Sequence, residues 1–81
     1  MTDKNTTNIA QMKIGQRGTV KELGVGKGMN RVTAMGLRPG CKIIKISGMF
    51  GHGPVTIQIG NSQLAIGYGM AKKIVVETDT P

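Results

Sequence analysis

The stretch from Arg31 to Gly40 (Arg-Val-Thr-Ala-Met-Gly-Leu-Arg-Pro-Gly) constrains the fold most, because it spells a short helix, its stop, a tight turn and the entry to a strand. Met29, Val32 and Met35 recur every third residue and share one helical face, while Asn30, Arg31 and Ala34 lie on the other. Gly36 ends the helix: a glycine just past the last turn takes the left-handed conformation that closes it, and Leu37 folds back as the cap's hydrophobic partner. Pro39 presets φ at the first central position of a turn and Gly40 accepts the positive φ of the second, so the chain passes directly into Cys41-Lys-Ile-Ile-Lys-Ile46. Gly36, Leu37, Pro39 and Gly40 are thus assigned structural roles. Near the C-terminus, Gly69 to Lys73 leaves space for one helical turn before the apolar run Ile74 to Val76.

Around this joint the pattern is that of short strands. Val55, Ile57 and Ile59 alternate with Thr56 and Gln58, Leu64, Ile66 and Tyr68 repeat the period, and Gly60-Asn61-Ser62 makes a hairpin turn between them. Gly18 to Leu23, Cys41 to Ser47 and Ile74 to Glu77 supply three more strands. The segment Gly48 to Pro54, with three glycines and a proline, reads as a seven-residue exposed connection. Residues 1–11 are Thr- and Asn-rich, with Ile9 and Ala10 their one apolar pair, and read as a flexible leader dispensable for stability. Residues 12–78 then form the domain and 79–81 a tail. Five short strands have little edge to spare, and closing them on themselves removes exposed edges. The expected fold is mainly β: a small SH3-like five-stranded barrel with one inserted short helix and a one-turn helix before the last strand.

Patterns that carry catalysis fail residue by residue. Gly26-Lys27 resembles the end of a phosphate-cradling loop, but Lys21 and Gly28 stand where that motif requires glycine and a hydroxyl residue. The single cysteine, Cys41, excludes an internal disulfide and reads as a half-buried strand residue. The single histidine, His52, has no carboxylate placed to orient it, so no nucleophile–base pair is legible and no enzyme is expected. Cys41, His52 and six scattered methionines do not reach the ligand clustering of a structural zinc or soft-metal site, and neither a metal site nor a cofactor is assigned. No apolar run approaches the length of a membrane span, about 18 residues.

Eleven Lys and Arg against four Asp and Glu give a net charge of +7, which calls for an anionic partner. One Phe, one Tyr and no Trp leave no stacking platform for single-stranded nucleic acid, and the basic residues are dispersed from Lys4 to Lys73. No specific nucleic-acid binding is expected. An acidic protein surface or anionic headgroups would be attracted equally well.

Four blocks in order resemble the ferrous iron transport protein A (FeoA) family. They are Met12-Lys-Ile-Gly15-Gln-Arg-Gly18, Arg31-Val32 through Met35-Gly36-Leu37-Arg38-Pro39-Gly40, Gly53-Pro54-Val55-Thr56-Ile57, and Leu64-Ala65-Ile66 followed by Ala71-Lys72-Lys73-Ile74-Val75-Val76. Many members carry an arginine near Gly67-Tyr68-Gly69, where this chain has none. The resemblance implies a cytoplasmic accessory protein of ferrous iron uptake; its oligomeric state is not legible, a monomer being favoured. Its partner would be the cytoplasmic GTPase part of the FeoB-type membrane transporter. Direct binding of iron or zinc, or of nucleic acid, is the alternative. Loops and shallow grooves are where such small barrels meet partners. The partner-binding residues expected here are therefore Arg31 for charge, Met29, Met49 and Phe50 for apolar contact where they are exposed, with core packing the competing fate of Met29, and His52 and Pro54 in the glycine-rich connection.

Overall fold

A computed structural model describes residues 5–26, 28–49 and 52–78 of the 81-residue chain. Its strands are β1 (Asn5–Asn8), β2 (Arg17–Glu22), β3 (Lys42–Met49), β4 (His52–Ile59), β5 (Ser62–Ile66) and β6 (Val75–Thr78). The helices are α1 (Met29–Ala34) and α2 (Tyr68–Ala71), with a 3-10 turn at Ile9–Gln11. The strands form one antiparallel sheet in the order β1-β6-β2-β3-β4-β5. The fold is mainly β, as the alternation predicts, with two departures. There are six strands rather than five, and the barrel is not closed: β1 and β5 are the two ends of the strand order.

The sixth strand comes from the segment read as a flexible leader. Asn5 to Asn8 pair with Thr78 to Val75, and the Thr78 hydroxyl donates to the Asn5 carbonyl at 3.1 Å. The Asn8 side chain then accepts from the Gln11 N–H at 3.0 Å and caps the 3-10 turn. That turn drives Ile9 and Ala10 into the core, at 0% and 1% exposure, and the Ile9 N–H donates to the Ile74 carbonyl at 3.2 Å. A polar strand is stabilised here by a partner some 70 positions away in sequence, which local composition does not report. The remainder of that leader, residues 1–4, and the tail, residues 79–81, lie outside the described residues.

The second correction concerns Gly48 to Pro54. Gly48 and Met49 end β3, His52 to Pro54 begin β4, and Met49 is paired with His52, so the expected open connection is largely hairpin ladder. The register shifts twice between Lys45 and Met49, and Gly48 sits there with φ of 131°, its α-carbon so close to β4 that a Cβ would lie 2.9 Å from the Val55 Cα. Glycine at this position serves a bulged, close approach of two backbones rather than an exposed loop.

The core gathers Val20, Met29, Val32, Leu37, Ile43, Val55, Ile57, Ile66, Ile74 and Val76 with Ile9 and Ala10. Lys45 shares this inner side: its ammonium is buried and donates to the carbonyls of Ala10 at 3.0 Å and Met12 at 2.7 Å. It thereby ties β3 to the 3-10 turn. Burial pulls the Lys45 pKa below its ordinary 10.5, the desolvation outweighing the two acceptors that favour the charged form. The unfolded chain therefore holds this proton more tightly than the native one. Native stability from this group rises with pH between the lowered value and 10.5, and is lost as pH falls through the lowered value. Denaturant titrations from neutral pH upward should show that alkaline gain in the parent chain and lack it in Lys45→Met; identical pH profiles would refute it.

Candidate functional site

The helix α1 is held at both ends by glycines at positive φ. Gly28, at φ of 88°, precedes it, and a Cβ there would run into the Met70 methyl group, so the helix start is packed tightly on α2. At the other end the Gly36 N–H donates to the Thr33 carbonyl and the Leu37 N–H to the Val32 carbonyl, each at 3.0 Å, with Gly36 at φ of 108° and Leu37 fully buried. This is the paired hydrogen-bond arrangement of a Schellman cap. The Cys41 N–H donates to the Arg38 carbonyl at 3.1 Å across Pro39 and Gly40, with Gly40 at φ of 94°, which is a type II turn. Backbone bonds of Gly40 to Val20 at 2.7 Å and of Val20 to Cys41 at 2.8 Å then fix this turn on β2.

The result is a helix whose Met29 and Val32 are buried and whose Arg31 is exposed. Met29, expected among the partner-binding residues, is instead a core residue at 7% exposure, because its face packs on the sheet. Met35, expected on the same apolar face, is 53% exposed: the helix ends at Ala34 and Met35 leaves helical geometry as the cap residue. Between α1 and β5 lies a groove of about 370 Å³, with Val32, Leu64 and Met70 contributing apolar surface and Arg31 and Met35 on the helix side. None of its lining residues is acidic. Of the described acids, Glu22 pairs across to Val75 in the ladder and Glu77 faces Lys21 at 3.8 Å, both in β2 and β6 away from the groove.

Arg31 is thus brought to this groove, while Pro54 is exposed on β4 and Met49 and His52 stand paired at the far end of the β3–β4 hairpin. Phe50 lies outside the described residues. Sequence reasoning missed Met35, Gln63, Ala65 and Met70 as groove residues. The available signal was Gly36, whose cap releases the preceding residue from the helical stripe. Among the described residues no group of three His, Cys, Asp or Glu is placed to hold a metal ion, and Cys41 is half-buried against the core. No helix among the described residues is long and apolar enough to cross a membrane.

A bent antiparallel sheet with the run β6-β2-β3-β4-β5, a helix inserted after β2 and a one-turn helix before β6 defines a small SH3-like domain. The family model of the FeoA domain matches residues 7–78. A relative from Methanocaldococcus jannaschii with the provisional name Fe(2+) transport protein A is 40% identical over 70 residues, spanning 85% of this chain and 83% of the relative. The chain belongs to the FeoA domain family. A crystal structure of an iron uptake regulatory protein, FeoA, superposes with a TM-score of 0.80 at 27% identity, covering 90% of this chain and 96% of the other. An FeoA from Stenotrophomonas maltophilia crystallised with zinc, described as an SH3 domain protein, shares the fold with a TM-score of 0.73 at 17% identity, over 86% and 88% of the two chains.

Proposed function

We propose that this chain is a cytoplasmic accessory protein of ferrous iron uptake that docks on the cytoplasmic GTP-binding part of an FeoB-type membrane transporter and modulates it. The observation that carries this reading is family membership across nearly the whole domain, supported by a relative named for Fe(2+) transport. The physical properties agree with a docking role. The net charge is +7, and Arg31 stands on the exposed side of a firmly capped helix. The contact includes that side of α1 and, on the β3–β4 hairpin, Met49, His52 and Pro54, with Phe50 kept from the sequence reading.

Titration against the isolated cytoplasmic part of the cognate transporter, in nucleotide-free, GDP-bound and GTP-analogue-bound forms, tests this. Saturable binding is expected in at least one form, and Arg31→Glu should weaken it about tenfold while leaving the thermal midpoint unchanged. Absence of binding in every nucleotide form would sink the docking role.

A further inference from the structure

Strand β5 ends the sheet, and its outer edge faces α1 across the groove. The hairpin that makes it fixes which backbone groups reach that edge. Gly60 has φ of 58° and no non-glycine residue has positive φ, so Gly60-Asn61 is a type II′ turn closed by the pair Ile59 and Ser62. Such a closing pair exchanges hydrogen bonds, and the antiparallel pattern alternates. Leu64 and Ile66 therefore bond to β4, whereas Gln63 and Ala65 turn their N–H and C=O groups toward the open edge. No backbone hydrogen bond from α1 or any loop reaches them among the described residues.

The groove thus offers three things in one place: unpaired strand edge, apolar surface from Val32, Leu64 and Met70, and the Arg31 guanidinium with no neighbouring carboxylate in the lining. Lys72 and Lys73 follow α2 directly in sequence and are exposed, outside the groove lining. A second copy of this chain is a poor occupant, because each copy would bring its own +7. We propose that the edge of β5 is a docking site for an extended, acidic segment of a partner protein, which adds to the sheet as a further strand and sets alternate apolar side chains into the α1–β5 groove. The main-chain bonds of Gln63 and Ala65 supply affinity, the groove selects apolar positions, and Arg31 selects charge.

The probe is a capped peptide of about eight residues alternating Asp and Val, titrated into the full chain and followed by amide hydrogen exchange and NMR shifts. Saturable binding should slow exchange of the Gln63 and Ala65 amides about tenfold or more. A peptide alternating Lys and Val should bind about tenfold more weakly, and Arg31→Glu should weaken the acidic peptide about fivefold. Ala65→Pro removes an outward N–H without removing a ladder bond to β4, a placement that edge strands tolerate, and it should abolish binding in a folded protein. Should Ala65→Pro fail to fold, the Asp–Val peptide with alternate amides N-methylated replaces it and should not bind. Equal binding by the Lys peptide, the N-methylated peptide or folded Ala65→Pro overturns the proposal, as does no saturable binding at millimolar peptide. Protection of Gln63 and Ala65 by self-association alone assigns the edge to a second copy and overturns it too. Transporter binding that survives Ala65→Pro while the peptide is lost leaves the docking role standing without this edge; peptide binding that Ala65→Pro abolishes, with no transporter binding by the parent chain in any nucleotide form, leaves the edge without that transporter.

Discussion

A chain beginning at Met12 will fail to fold, although the boundary suggested by composition lies just there. The truncation removes β1 with its four-residue pairing to β6, the Asn8 cap and two residues with essentially no exposure, Ile9 and Ala10. It also takes away the Ala10 carbonyl that accepts from buried Lys45. Replacing a side chain as buried as Ile9 by alanine costs about 2–5 kcal/mol, against a total of about 5–15 kcal/mol for a domain. Circular dichroism and urea titration should show no cooperative transition in the truncated chain and a transition shifted to lower urea in Ile9→Ala. A truncated chain with the parent's midpoint would return residues 5–11 to the status of a leader.

The second large effect is expected at Gly48, a residue chosen by two backbones rather than by a turn. Gly48→Ala must hold alanine at φ of 131° and place its Cβ 2.9 Å from the Val55 Cα, and neither β3 nor β4 can yield without disturbing the ladder that joins them. A loss of about 2–4 kcal/mol is expected from strain and overlap together. Gly36→Ala is the internal comparison. It shares the unfavourable φ, at 108°, but nothing lies within 4 Å of its added Cβ, so about 1 kcal/mol is expected. Equal losses in denaturant titrations would show that the close approach to Val55 carries no energy of its own.

What the sequence made legible is what it encodes locally. The cap and turn made by Gly36, Leu37, Pro39 and Gly40 act within five residues, through φ preference and short-range hydrogen bonds, so their joint could be read residue by residue, whereas the Gly40 bond to Val20 that seats it on β2 could not. The same holds for Val55 to Gln58, whose alternation matches the buried and half-buried sides of β4, while Ile59 is half-buried at the strand end. Asn5 to Asn8 carry no such signal, because what makes them a strand is the facing edge of β6. Lys45 was equally opaque. In the run Cys41 to Ile46 it is Ile43 and Lys45 that face inward while Ile44 and Ile46 are half-buried, and only the carbonyls of Ala10 and Met12 make that orientation sensible. The candidate groove was partly visible, through Arg31. Its other wall depends on which side of β5 lies at the end of the sheet, a property of strand order that no window of sequence contains.

The pairing of β1 with β6 has a mechanical consequence. Asn5 lies opposite Thr78 and Asn8 opposite Val75, so both strands lead out of the sheet at the same end. Tension applied through the two chain ends loads the Asn5–Thr78 rung first and then each rung in turn, as in an opening zipper. It never loads all four together in shear. Each rung resists alone, so the strand that gives the domain its sixth member is also where a modest pull would begin to take it apart, long before β3 and β4 felt any load.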